Sequence, residues 1–127
     1  MSMVTGVDFT AVPVKDFERA VEFYGETLGL PLSTRYGKMN GVEFETGNLT
    51  LAVIQPDAFG VEFHANRNAI ALHVDDVPAA RAELESRGVT FTADTIDSGV
   101  CHMAFFRDPA GNALMLHNRY APRTPLG

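Results

Sequence analysis

His64, His73, His102, His117 and the single cysteine, Cys101, are the side chains of this sequence best equipped for metal binding, proton transfer or nucleophilic attack. The histidine spacing matches no short metal-binding signature. No nucleophile motif flanks Cys101, which reads first as a small apolar residue. His73, His117 and Cys101 are the candidates for any catalytic role. Asp75-Asp76 directly precedes an apolar-periodic stretch, so it reads as a helix cap rather than an acid–base pair. Asp108-Pro109-Ala110-Gly111-Asn112 has the chemistry of a turn: Pro fixes φ, and Gly-Asn tolerates positive φ. Arg35, Tyr36, Lys38, Glu43 and Glu45 cluster in one stretch and are available to the mouth of a site.

Charge narrows the partners. Sixteen acidic residues against ten basic ones leave a formal charge of −6. That argues against nucleic acid or an anionic membrane, both of which need a basic footprint. It is compatible with a cationic ligand. One cysteine excludes an internal disulfide framework and fits a reducing compartment. The first residues, MSMVTGVDF, carry neither a basic nor an apolar leader pattern, and no apolar run approaches the roughly 18 residues of a membrane span. A cytoplasmic protein is expected.

These residues must be positioned by elements that occur twice. FTAVPVKDFERAVEFYGETLGLPL (Phe9–Leu32) recurs imperfectly as AIALHVDDVPAARAELESRGVTF (Ala69–Phe91), matching Val14 to Val74, Asp16 to Asp76 and Ala20 to Ala80. Each copy reads as a strand, an Asp-led cap, an amphipathic helix and a Gly stop. The expected elements of the first copy are a strand over 4–14, a helix over 16–27 and strands over 31–36, 42–46 and 49–55. Those of the second are a strand over 70–74, a helix over 77–87 and strands over 89–92, 100–107 and 113–117. The chain then forms a single domain (1–127). Module one covers about 4–55, a linker 56–68, module two about 69–118, and a loose tail 119–127. The predicted class is α+β: two βαβββ modules forming a curved mixed sheet, helices on one face and an open trough on the other.

DFERAVEFYGETLGL (Asp16–Leu30), ALHVDDVPAARAEL (Ala71–Leu84) and FFRDPAGNALMLH (Phe105–His117) together resemble the vicinal oxygen chelate superfamily, which includes glyoxalase, bleomycin-resistance, fosfomycin-resistance and dioxygenase proteins. The resemblance spans about residues 4–118. It implies the glyoxalase/bleomycin-resistance fold and a homodimer. It also implies a divalent metal held in the trough by His, Gln or Glu, from the first and last strands of each module. The corresponding positions here are Phe9, Ala69, Met115 and Leu51, or Ala52 if a bulge shifts the register. None of these side chains offers the oxygen or nitrogen lone pairs such a cation requires. No metal or other cofactor is therefore expected, with a divalent metal as the alternative.

Strand alternation then supplies the trough lining: Phe9, Ala11, Leu51, Val53, Ala69, Ala71, His73, Cys101, Met103, Phe105, Ala113, Met115 and His117, with His102 on the helix side. Phe9, Ala11, Leu51, Ala69, Ala71, His73, Met103, Phe105 and Met115 form the predicted ligand-binding set. Apolar, aromatic and sulfur-bearing residues, with alanines leaving volume, suit a small hydrophobic or cationic aromatic molecule. The expected function is metal-independent binding of such a molecule. The alternative is a lyase, isomerase or dioxygenase that uses a displaced metal or a metal-free His/Cys acid–base group.

Overall fold

Asp16 and Asp76 start the two helices in the same way. Each is extended, and each carboxylate accepts from the backbone N–H three residues on, Arg19 at 3.2 Å and Ala79 at 3.0 Å. In the computed structural model of the chain, residues 2–123 are described, and they divide into two compact units. Residues 124–127 of the expected tail, Pro125 among them, lie outside the described part.

The first unit comprises residues 1–66 and 109–112. It contains β1 (Phe9–Pro13), α1 (Phe17–Glu22), β2 (Leu32–Arg35), β3 (Gly41–Glu45) and β4 (Thr50–Ile54), in the sheet order β1-β4-β3-β2. β1 runs parallel to β4, and the other pairs are antiparallel. The expected strand over 4–14 begins only at Phe9, because β4 starts at Thr50 and offers earlier residues no partner. Val4 and Val7 are accordingly exposed.

The helix expected over 16–27 is α-helical only to Glu22. It then widens into a π-helical turn, Phe23–Thr27, in which Leu28 donates to the Phe23 carbonyl. Packing accounts for the change. Tyr24 is fully buried against Phe44, and a Cβ on Gly25 would lie 3.3 Å from the Phe44 ring. Val12, Val14, Ala20, Val42, Phe44, Leu51 and Val53 complete this core.

Of the described residues, the second unit comprises 67–108 and 113–123. It contains β5 (Ile70–His73), α2 (Val77–Ser86), β6 (Ile96–Asp97), β7 (Cys101–Arg107) and β8 (Ala113–Arg119), ordered β5-β8-β7-β6. The same mixed topology recurs: β5 is parallel to β8, and the rest are antiparallel. Leu84, Phe91, Ala104, Phe106, Leu114 and Leu116 form its core, with the Arg81 guanidinium 4.7 Å above the Phe91 ring.

Residues 89–92 do not form the expected strand. Phe91 makes a single bridge to Phe106, and the edge strand is Ile96–Asp97. Arg81 explains the detour, donating to the Ala93 carbonyl at 2.8 Å and to the Thr95 hydroxyl at 3.2 Å. The tail is also better held than expected. Arg119 belongs to β8, and the Tyr120 and Ala121 N–H groups donate to the Val100 carbonyl. The two mixed four-stranded sheets, each carrying one cap-initiated helix, constitute the expected α+β class.

The 109–112 turn reaches far beyond its own neighbours. Asn112 is fully buried within the first unit; its Nδ2 donates to the Pro13 carbonyl at 2.6 Å, and its Oδ1 accepts from Asn66 N–H at 2.7 Å. Asn66 in turn donates to the Ala11 carbonyl at 3.0 Å. The Pro13 carbonyl at the end of β1 is thereby paired with a residue 99 positions away.

Candidate functional site

Register decides which side chains share a face. In the second unit β5 and β8 pair Ala71 with Met115 and His73 with His117, while β7 and β8 pair Phe105 with Met115 and Met103 with His117. Partners in register lie on the same side of a sheet. Ala71, His73, Cys101, Met103, Phe105, Ala113, Met115 and His117 therefore share one face, with Ala69 immediately before β5. Ala104, Phe106, Leu114 and Leu116 point the other way, into the packed core. His102 also lies on that packed side, 3.4 Å from Asp97 and stacked on Tyr120 at 4.9 Å. His64 is exposed beside Glu62 and belongs to neither face.

At one end of this open face lies a cavity of about 350 Å³. Ala69, Phe105, Ala113 and Met115 form its apolar walls, and Arg67, Asn68, Thr92 and Arg107 stand around them. Toward the other end are His73 and His117. The His73 Nε2 lies 3.3 Å from the Asp75 carboxylate, both groups being solvent-exposed. Beyond His117 the face ends in Arg119, which donates to the Pro122 carbonyl at 3.3 Å and whose buried Nε has no partner among the described residues.

In the first unit Phe9 and Ala11 lie, as expected, on the face opposite the core; Phe9 is 51% exposed. Leu51 and Val53 do not. β1 pairs Thr10 with Leu51 and Val12 with Val53, and all but Thr10 are fully buried on the core side. The turn at Gly47-Asn48 sets this phase by placing Thr50 opposite Glu45, so Ala52, not Leu51, is the β4 residue in register with Ala11.

The same register brings Glu43 and Glu45 onto the face of Ala52 and Phe9. Ser33 and Thr50 both donate to Glu45, which holds its carboxyl below the usual carboxylate range. The Tyr36 hydroxyl donates to Glu43 at 2.5 Å, and its ring lies over Gly41, where a Cβ would clash at 2.2 Å. Burial and the adjacent carboxylate push the Tyr36 phenol up to about 12. Ser33 and Thr50 were not legible as site residues.

The metal that the resemblance implies does not fit these residues. Phe9, Ala52, Ala69 and Met115 supply no hard donor, and among the described residues no group of three His, Cys, Asp or Glu side chains could hold an ion. Arg67, Asn68, Thr92 and Arg107 are the neighbours that sequence reasoning missed. The signal was available for Arg107, which follows Phe105 by two positions and so shares its strand phase. No helix among the described residues is long and apolar enough to cross a membrane.

Comparison with known proteins agrees with this architecture. The uncharacterized protein YwbC of Bacillus subtilis (strain 168) is 30% identical over 101 residues, covering 74% of this chain and 80% of its own. A solved glyoxalase/bleomycin resistance protein/dioxygenase superfamily member from Sphaerobacter thermophilus superposes with a TM-score of 0.79 at 26% identity, over 91% of this chain and 98% of its own. TnmS3, an antibiotic binding protein from Streptomyces sp. CB03234, superposes with a TM-score of 0.78 at 26% identity, over 94% and 99%. Residues 6–116 match the family model of the same superfamily, and with the paired sheets and capped helices this places the chain in the Glyoxalase/Bleomycin resistance protein/Dioxygenase superfamily.

Proposed function

We propose that the chain binds a small hydrophobic or aromatic molecule, without a metal, on the open sheet face of its second unit. The carrying observation is the cavity of about 350 Å³ walled by Phe105, Met115, Ala69 and Ala113. Its size falls within the usual range for small-molecule sites, roughly 300–1,000 Å³, and two alanines leave room where bulkier residues would fill it. The likeness to an antibiotic binding protein supports a binding role, and the apolar residues at the family's ligand positions support metal independence. Homodimerisation and a cytoplasmic location belong to the same proposal.

A panel of aromatic antibiotics tests the reading by thermal unfolding. A specific binder at about 100 times its Kd stabilises the native state by about 2.7 kcal/mol and must raise the midpoint. Phe105→Ala and Met115→Glu should weaken the effect while the unliganded protein stays folded. Unchanged midpoints across the panel count against the proposal. Calorimetric titration with Ni, Zn, Fe and Mn tests metal independence, and tight stoichiometric binding would overturn it.

One observation favours a second reading, a lyase, isomerase or dioxygenase. His73 and His117 are in register on adjacent strands, with Cys101 on the same face. Such groups serve proton transfer. Loss of a turnover signal in His117→Gln without loss of ligand binding would support it.

A further inference from the structure

We infer that the molecule held in this cavity is an organic acid, an apolar or aromatic body whose carboxylate is received by Arg67 and Arg107. The inference rests on the proposed binding face and adds the charge of its ligand. Both arginines are among the residues lining the cavity, and no Asp or Glu lines it. Arg107 is exposed on β7, on the same side as Phe105, and its register partner Ala113 is too short to cover it. Arg67 is exposed just ahead of Ala69. Neither side chain makes an ion pair or hydrogen bond with another described residue. Arg81 and Arg87 differ from them in being paired with Glu85 and Glu83.

A chain of net charge −6 thus places two unpaired cations at the mouth of one apolar cleft. The planar guanidinium fork matches a carboxylate through two parallel N–H bonds. The Asn68 side chain adds an amide donor at the same rim. An apolar body would lie on Phe105 and Met115 while its acid group faces the arginines. A cationic aromatic ligand would meet like charge there.

The test titrates the full chain with 3-phenylpropanoate, 3-phenylpropanamide, 2-phenylethylammonium and inorganic phosphate, followed by NMR shifts of the methionine and alanine methyls. The acid should bind roughly tenfold more tightly than the amide or the ammonium, the scale of a charge-assisted hydrogen bond. Added salt should erode that advantage. Arg67→Gln and Arg107→Gln should each reduce the acid's advantage over the amide; both sites are exposed, so folding is preserved. Amide or ammonium binding as tight as the acid overturns the acid assignment and leaves the binding face standing. An advantage that survives both substitutions also overturns it. Phosphate binding as tight as 3-phenylpropanoate reduces the site to a simple anion site and overturns the organic-acid reading. Binding by none of the four overturns this inference, whereas the antibiotic panel judges the binding face on its own.

Discussion

Asn112 shows how much one side chain carries. Its buried amide donates to the Pro13 carbonyl and accepts from Asn66 N–H, both partners being half-buried. Asn112→Ala leaves both partners unpaired and should cost about 2–6 kcal/mol, at roughly 1–3 kcal/mol for each unpaired group. A urea midpoint that does not move would contradict that role. Asn112→Asp keeps the acceptor and loses the donor, so it should still destabilise.

Tyr36 makes a pH-dependent prediction. Its folded pKa of about 12 lies above its ordinary value of 10.0. Its contribution to stability is therefore complete below pH 10 and is lost as pH rises toward 12. Tyr36→Phe should lack that alkaline component in denaturation curves and should remove one late-titrating tyrosine from the ultraviolet titration. Glu45 and Asp97 act in the opposite sense. Hydrogen bonds from Ser33 and Thr50 lower Glu45, while those from Tyr120 and Gly99 N–H lower Asp97. Their contributions are present above the ordinary carboxylate range and fade as pH falls through it.

At the scale of elements, the helices depend on their first residues. α2 is only ten residues long, too short to be stable alone in water, so it relies on its cap and its packing. Asp76→Ala removes the bond to Ala79 N–H and should cost about 1 kcal/mol, with Asp76→Asn or Asp76→Ser restoring most of it. Strand phase is the other element-level determinant. β7 from Met103 onward and β8 through His117 alternate, so most open-face residues of the second unit were readable from the chain. β4 did not allow this: Leu51, Ala52 and Val53 are three buried apolar residues in a row, and only pairing with β1 and β3 tells which of them faces the core.

Across the molecule, each sheet packs one face against its helix and leaves different chemistry on the other. The first unit's second face carries Glu43 and Glu45 beside Phe9; the second unit's carries Met103, Phe105 and Met115 beside two free arginines. Paired substitutions separate packing from binding. Leu51→Ala should destabilise by about 2–5 kcal/mol, the usual cost of a buried leucine, without changing affinity for a ligand of the second unit. Met115→Ala should weaken that ligand at smaller cost to stability. Chemical denaturation and calorimetry on the same samples check both outcomes, and the reverse pattern would invalidate the face assignment.

The sequence alone determined the internal duplication, both aspartate caps, the α+β class, which residues of β7 and β8 share a face and the apolar character of the family's metal positions. The duplication is read by matching two distant segments; the other features depend on residues within a few positions of one another, through alternation, capping and turn chemistry. Tertiary structure decided the phase of Leu51, the π-helical end of α1 against Phe44, the choice of Ile96–Asp97 as edge strand and the reach of Asn112 to Pro13. It also gathered Arg67, Asn68, Thr92 and Arg107 around one apolar cavity. Those outcomes follow from which strands pair and in what register, and that pairing is settled by packing between segments far apart in the chain.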